Sequence, residues 1–185
     1  GVSPEAEFAG FSPRVDDTIV FYGTSIMQGG CASRPGMVHS AILGRHFDCP
    51  TINLGFSGNG IMEPEVGDLL AQLNPRVYMV DCLPNMEAKA VLERAEGFVK
   101  TLRKAHAETP IVLVEDRTYC NGPFVSGNYE RNRMSREALR RVFGKLINEG
   151  VGHLHYVTGD YLFGNDYEGS VDGSHATDLG FFRQA

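Results

Sequence analysis

Two short stretches of the chain hold the residue types needed for nucleophilic catalysis. Ser25 stands in Gly23-Thr24-Ser25-Ile26, and Asp172-Gly173-Ser174-His175 lies near the C-terminal end. A serine hydroxyl is a weak nucleophile until a base, most often histidine, takes its proton; a carboxylate on the far ring nitrogen keeps that histidine in the right tautomer. Three-residue spacing on a glycine-containing turn lets Asp172 meet one imidazole nitrogen of His175 while the other points outward. Each piece also has a plain structural alternative. Ser25 can cap a turn or a helix start, and the Asp/His segment can be a surface turn leading into a helix N-cap. Two further residues can serve as donors to a developing oxyanion: Gly58 through an unobstructed backbone N–H, and Asn85 through its side-chain amide. A turn glycine and an N-cap for a helix beginning near Met86 are their alternatives.

These residues need a frame, and the hydrophobic pattern supplies one. Short apolar or β-branched runs at Thr18 to Tyr22, Thr51 to Phe56, Val77 to Asp81, Ile111 to Glu115 and Leu154 to Val157 read as buried strands. Helical segments are expected at Met37 to Phe47, Pro64 to Leu73, Met86 to His106 and Tyr129 to Asn148, with a last helix from about Thr177. Val91, Ala95, Phe98 and Leu102 stripe the third of these, Met134, Ala138, Val142 and Leu146 the fourth, and Gly150 is a plausible stop. Strands alternating with helices predict a three-layer α/β/α sandwich around a five-stranded parallel sheet. Residues 1–16, with Pro4 and Pro13, read as an N-terminal arm or linker, and residues 17–185 as the folded domain. Ligands of such sheets bind beyond the carboxyl ends of the strands. Ser25, Gly58, Asn85 and the Asp172/His175 turn follow strands one, two, three and five, all on that edge.

The G-x-S-x-G elbow of α/β-hydrolases is absent, because Met27 stands two residues after Ser25. The block order instead resembles the SGNH (GDSL-type) hydrolase superfamily, with its flavodoxin-like fold. Phe21-Tyr22-Gly23-Thr24-Ser25-Ile26 is similar to the first block and Asn53-Leu54-Gly55-Phe56-Ser57-Gly58 to the second. Asp81-Cys82-Leu83-Pro84-Asn85 stands at the third, and Asp172-Gly173-Ser174-His175 at the last. Gly-Thr-Ser-Ile, residues 29–36 (GGCASRPG) and Val114-Glu115-Asp116-Arg117 resemble more narrowly a bacterial subgroup of acylhydrolases whose members often carry a β-sandwich domain upstream. The resemblance implies a serine esterase with Ser25 as nucleophile, His175 as base, Asp172 as its partner and an oxyanion hole from Ser25, Gly58 and Asn85. It implies no metal and no cofactor, and short acyl esters, acetyl groups on carbohydrates among them, as substrates. A periplasmic or secreted location fits it. Two departures stand out: Thr24 replaces the acid of the GDS motif, and the third block lacks its glycine and its second acid. Gly164-Asn165-Asp166 contains the missing letters, but after strand five it is out of block order and reads as loop.

Composition narrows the alternatives. With 42% hydrophobic and 22% charged residues and a formal charge of −6, the chain reads as an ordinary globular protein without the basic face of a nucleic-acid binder. Arg131, Arg133, Arg136, Arg140 and Arg141 cluster on a predicted helix and are expected on its solvated side. No apolar run approaches the ~20 residues that span a bilayer, and no amphipathic membrane helix or greasy lid is evident, which argues against membranes and long-chain lipid. The start at Gly1-Val2-Ser3-Pro4, without an initiator methionine, reads as a processed or excised piece. Four scattered cysteines show no C-x-x-C pair. His153 and His155 are expected on one face of strand five, without a third ligand to complete a metal site. Cys82 is expected to be buried and inert. Arg34 and Arg117 are candidates for binding a polar or anionic substrate group, or are salt-bridged. A fold that has lost activity and binds carbohydrate, and a flavin-binding flavodoxin-like domain, are the readings from other classes.

Overall fold

The computed structural model describes residues 1–7, 9–10 and 17–185. Residues 1–7 and 9–10 carry no helix or strand; the rest of the expected N-terminal arm, Pro13 included, lies outside the described residues. Five strands form one parallel sheet: β1 (Ile19–Gly23), β2 (Thr51–Gly55), β3 (Val77–Asp81), β4 (Ile111–Val114) and β5 (Leu154–Val157). Their order is β2-β1-β3-β4-β5, so the chain grows outward first to one side of β1 and then to the other. The gap between the β1 and β3 ends is therefore the switch point where such sheets place their sites. The register brings Gly23 level with both Gly55 and Asp81, and three strands release their loops at one height.

The helices are α1 (Ser25–Gln28), α2 (His39–His46), α3 (Pro64–Leu70), α4 (Ala88–Ala105), α5 (Ser126–Asn148) and α6 (Asp178–Gln184), with 3-10 turns at Pro35–Met37 and Leu83–Asn85. Side chains alternate across the sheet. Val20, Tyr22, Tyr78, Val80, Ile111 and Leu113 pack under α3, α4 and α5, whereas Ile19, Phe21, Val77 and Met79 face the side of α1 and α2. The α4 stripe is buried as expected, and Gly150, at φ +82, closes α5 with N–H bonds from Gly150 and Val151 back to Ile147 and Leu146. None of these helices is long and apolar enough to cross a membrane.

Three local expectations fail. Met134 is half exposed, and the buried face of the first half of α5 is polar instead: Asn132, Ser135 and Arg136. The arginine cluster is solvated only in part: Arg133, Arg140 and Arg141 are exposed as expected, whereas Arg131 and Arg136 turn inward onto Pro84, Tyr119, Asp116 and Thr118, and Arg140 reaches Glu115 from the surface. His153 precedes β5 in the left-handed region at φ +51, so it does not alternate with His155 on a strand face.

Candidate active site

Ser25 is the first residue of α1, and the cap of that helix is the residue before it. Thr24 is fully buried and its hydroxyl accepts the Ile26 N–H at 3.3 Å. A carboxylate in this dry seat would carry a heavy desolvation cost, which gives the Asp-to-Thr departure a physical sense. Gly55 lets β2 end hard against α1, since a Cβ there would drive into the Gln28 backbone. Asn53 completes the mount, donating to Met27 O at 2.7 Å and Ser40 Oγ at 2.8 Å. Ser25, released from capping, turns its hydroxyl to His175: Oγ and Nε2 are 2.9 Å apart.

On the far side of the ring, His175 Nδ1 and Asp172 Oδ2 are 2.7 Å apart. The other carboxylate oxygen accepts the backbone N–H groups of Ser174 and His175 at 2.8 and 2.7 Å. Partial burial pulls the Asp172 carboxyl upward, but the hydrogen bonds from His175 and Ser174 outweigh it and bring it down to about 2. Asp172 is therefore an anion at any ordinary pH. The relay is open to solvent, with the His175 side chain 32% and the Asp172 side chain 49% exposed.

The oxyanion candidates lie on the loops that leave β2 and β3, whose ends are level with the end of β1. Gly58, at φ +72, sits in a turn where a Cβ would meet open space, and left-handed backbone favours glycine there. Among the described residues neither the Ser25 nor the Gly58 N–H has a protein acceptor. Asn85 caps no helix: it closes the 3-10 turn Leu83–Asn85, while α4 begins at Ala88 after Glu87. Its amide donates one hydrogen to Asn59 O at 2.6 Å, which leaves the second N–H for another acceptor.

A family model for the GDSL-like lipase/acylhydrolase family matches residues 16–185. The chain belongs to that family. A GDSL-like lipase from Bacteroides ovatus is 39% identical with a TM-score of 0.93 over 99% of this chain. The GDSL-like chain spans 54% of that protein, about half its length. Two more distant structures share the fold. The salicylyl-acyltransferase SsfX3 of a tetracycline biosynthetic pathway is 19% identical (TM-score 0.79, 94% of this chain, 53% of that one). A family two carbohydrate esterase from Clostridium thermocellum is 14% identical (TM-score 0.72, 96% and 63%). No curated protein matches the chain. The SGNH superfamily, a superfamily of ester hydrolases, is thus the setting in which its residues are to be understood.

In this GDSL-like chain several residues outside the four blocks hold the site together. Glu115, fully buried, accepts from Arg140 Nε at 2.6 Å, Tyr156 Oη at 2.6 Å and Gly159 N at 2.7 Å, and so fixes the start of the loop that leads to Asp172. Asp116 takes hydrogen bonds from Arg117 and from Asn132 Nδ2. Arg117 is 2% exposed, which overturns its candidacy as a substrate ligand and leaves the salt-bridged alternative. Arg34 stays at the surface, near Asp178. Cys82 is fully buried and its thiol is pushed well up by burial, so it stays protonated. Asp166 of the Gly164-Asn165-Asp166 stretch clasps Arg183 and takes no part in the relay. The one sequence signal for the second layer was Glu115-Asp116-Arg117 itself: three charges directly after a buried strand must be paired with something.

Proposed function

We propose that this chain is the catalytic part of a serine esterase that hydrolyses short-chain acyl esters, acetyl groups on carbohydrates among them. The observation that carries the reading is the continuous hydrogen-bonded line Ser25 Oγ, His175 ring, Asp172 carboxylate. His175 Nε2 takes the hydroxyl proton as Ser25 Oγ bonds to the ester carbonyl carbon. The resulting oxyanion is met by the N–H groups of Ser25 and Gly58 and the amide of Asn85. Collapse breaks the bond to the alcohol oxygen, which leaves with the proton from His175, and an acyl-serine remains. Water, deprotonated by His175, attacks that ester; the acid departs and Ser25 recovers its proton. Asp172 keeps Nδ1 protonated throughout and balances the imidazolium. No metal or cofactor enters the cycle.

An open relay suits a small acyl group on a bulky, well-solvated alcohol better than a long chain that needs a covered apolar channel. Ser25→Ala is expected to abolish hydrolysis of p-nitrophenyl acetate and labelling by a fluorophosphonate probe while the fold persists; full activity in that variant refutes the assignment. A chain-length series of p-nitrophenyl esters, run beside acetylated xylan and other acetylated saccharides, tests the substrate. A rate that rises with acyl length would overturn the short-acyl part.

A further inference from the structure

The Asp172–His175 turn fixes its own residues relative to one another, but nothing within it fixes the turn relative to Ser25. A general base must be held to within a few tenths of an ångström of its geometry to be useful, and this one rides on a long, largely exposed loop. Of the contacts that tie this loop to the sheet, the one that grips the turn beside His175 itself comes from Arg117, just beyond β4. Its Nε donates to the Ser174 carbonyl at 2.8 Å, and Nη2 reaches the Ser174 hydroxyl.

We propose that Arg117 is a positioning residue of the esterase, holding the peptide unit between Ser174 and His175 so that the imidazole stays in line with Ser25. The Ser174 carbonyl and the His175 N–H belong to one rigid peptide plane. Arg117 holds that plane by its oxygen, and Asp172 Oδ1 holds it by its N–H. Rotation of the plane would therefore disturb both bonds, and with the carboxylate would go the grip of Oδ2 on the ring. The guanidinium is itself well seated. Asp116 pairs with it, the Tyr119 ring lies 4.0 Å from Cζ, and Asn132 anchors Asp116 from α5. Beside it the Cys120 N–H donates to the Gly173 carbonyl at 3.1 Å. A planar fork explains why arginine stands here: it meets carbonyl, hydroxyl and carboxylate together, which a lysine ammonium on its flexible stem does not.

This proposal rests on the Ser25/His175/Asp172 reading, and the test separates the two. Arg117→Lys keeps a charge beside Asp116 but loses the fork. The paired variant Asp116→Asn with Arg117→Met removes both charges, so no buried ion is left alone. With p-nitrophenyl acetate, each folded variant is expected to lose roughly 10- to 100-fold in kcat at unchanged KM. The rate of fluorophosphonate labelling at Ser25 falls in parallel. Wild-type kcat in either folded variant overturns the proposal, as does a loss carried by KM alone. Failure of both variants to fold also overturns it, because the pair would then be a determinant of folding. Wild-type protein that resists the probe takes down the triad reading itself; labelled wild type with equally labelled variants takes down only Arg117.

Discussion

The proposed nucleophile and the proposed base of this site are held by opposite means. Ser25 is carried by main chain packed on main chain: β1 runs straight into α1, β2 ends against that helix at Gly55, and Thr24 seals the junction. His175 is carried by a loop, about twenty residues beyond β5, whose local structure is a single bridge between Ser170 and Ala176. Its place is set by contacts with residues far along the chain: Arg117 on the Ser174 carbonyl, Glu115 on the Gly159 N–H, and the N–H groups of Cys120 and Ser33 on the Gly173 carbonyl and the Asp178 carboxylate. One half of the site is therefore an integral part of the core, and the other is docked onto it. Damage to the first should cost stability and activity together, damage to the second activity alone.

The largest effect is expected from Asp172→Asn. The substitution keeps the shape but presents the wrong partner to His175 Nδ1, and losses of about 10³- to 10⁴-fold in kcat are typical for such a change. Because Asp172 sits on an exposed turn, the urea midpoint should hardly move; a large shift would show that the docked half is part of the folding unit after all. Gly60→Ala attacks the other half. Gly60 has φ +69, and a Cβ would run into the Gly23 carbonyl, which also receives the Phe56 N–H. A loss of about 3 kcal/mol in urea unfolding is expected from strain of this kind, with activity falling in step. A stable but inactive Gly60→Ala protein would contradict the distinction between the halves.

The same difference explains what was legible in the sequence. The strands announce themselves locally, as short apolar or β-branched runs, so that β3 and β5 appear with the expected bounds and β1 and β2 within a residue. The Asp/His spacing was visible because both residues lie within one turn. The mount of that turn was not, since it joins residues 57 positions apart and no periodicity encodes a pairing at that range. The arginines of α5 misled for a related reason. Their spacing fits a solvated helix face, and only the buried polar groups of the β4 end, brought there by the sheet, make Arg136 turn inward and draw the half-exposed Arg140 onto Glu115. Met134 is the reciprocal case: the polar contacts of Asn132, Ser135 and Arg136 set the rotation of the helix, and an apolar residue in the same turns was left outside.

Asp81 sits on the seam between the halves and offers the smallest but most discriminating test. Its backbone lies level with Gly23, and its Oδ2 accepts from Gln184 of α6, the helix that follows His175, at 3.1 Å. It also lines an apolar cavity of about 320 Å³ with Phe21, Leu43, Met79 and Val114, and among the described residues Oδ1 has no hydrogen-bond partner. Burial, helped by the nearby Asp116 and opposed by Arg117 and Gln184, raises its carboxyl from 3.8 to about 7. The folded protein therefore holds a proton that the unfolded chain has released between pH 3.8 and 7. Across that window stability falls as pH rises, and above it the fold carries a buried carboxylate at full cost. Asp81→Asn keeps an acceptor for Gln184 and removes the titration. The variant should be more stable than wild type at pH 8 by on the order of 2 kcal/mol, the advantage shrinking toward pH 4. Urea unfolding at several pH values measures this directly. An advantage independent of pH would mean that Asp81 does not titrate in the fold, and a loss at pH 8 would mean that its charge is what joins the two halves.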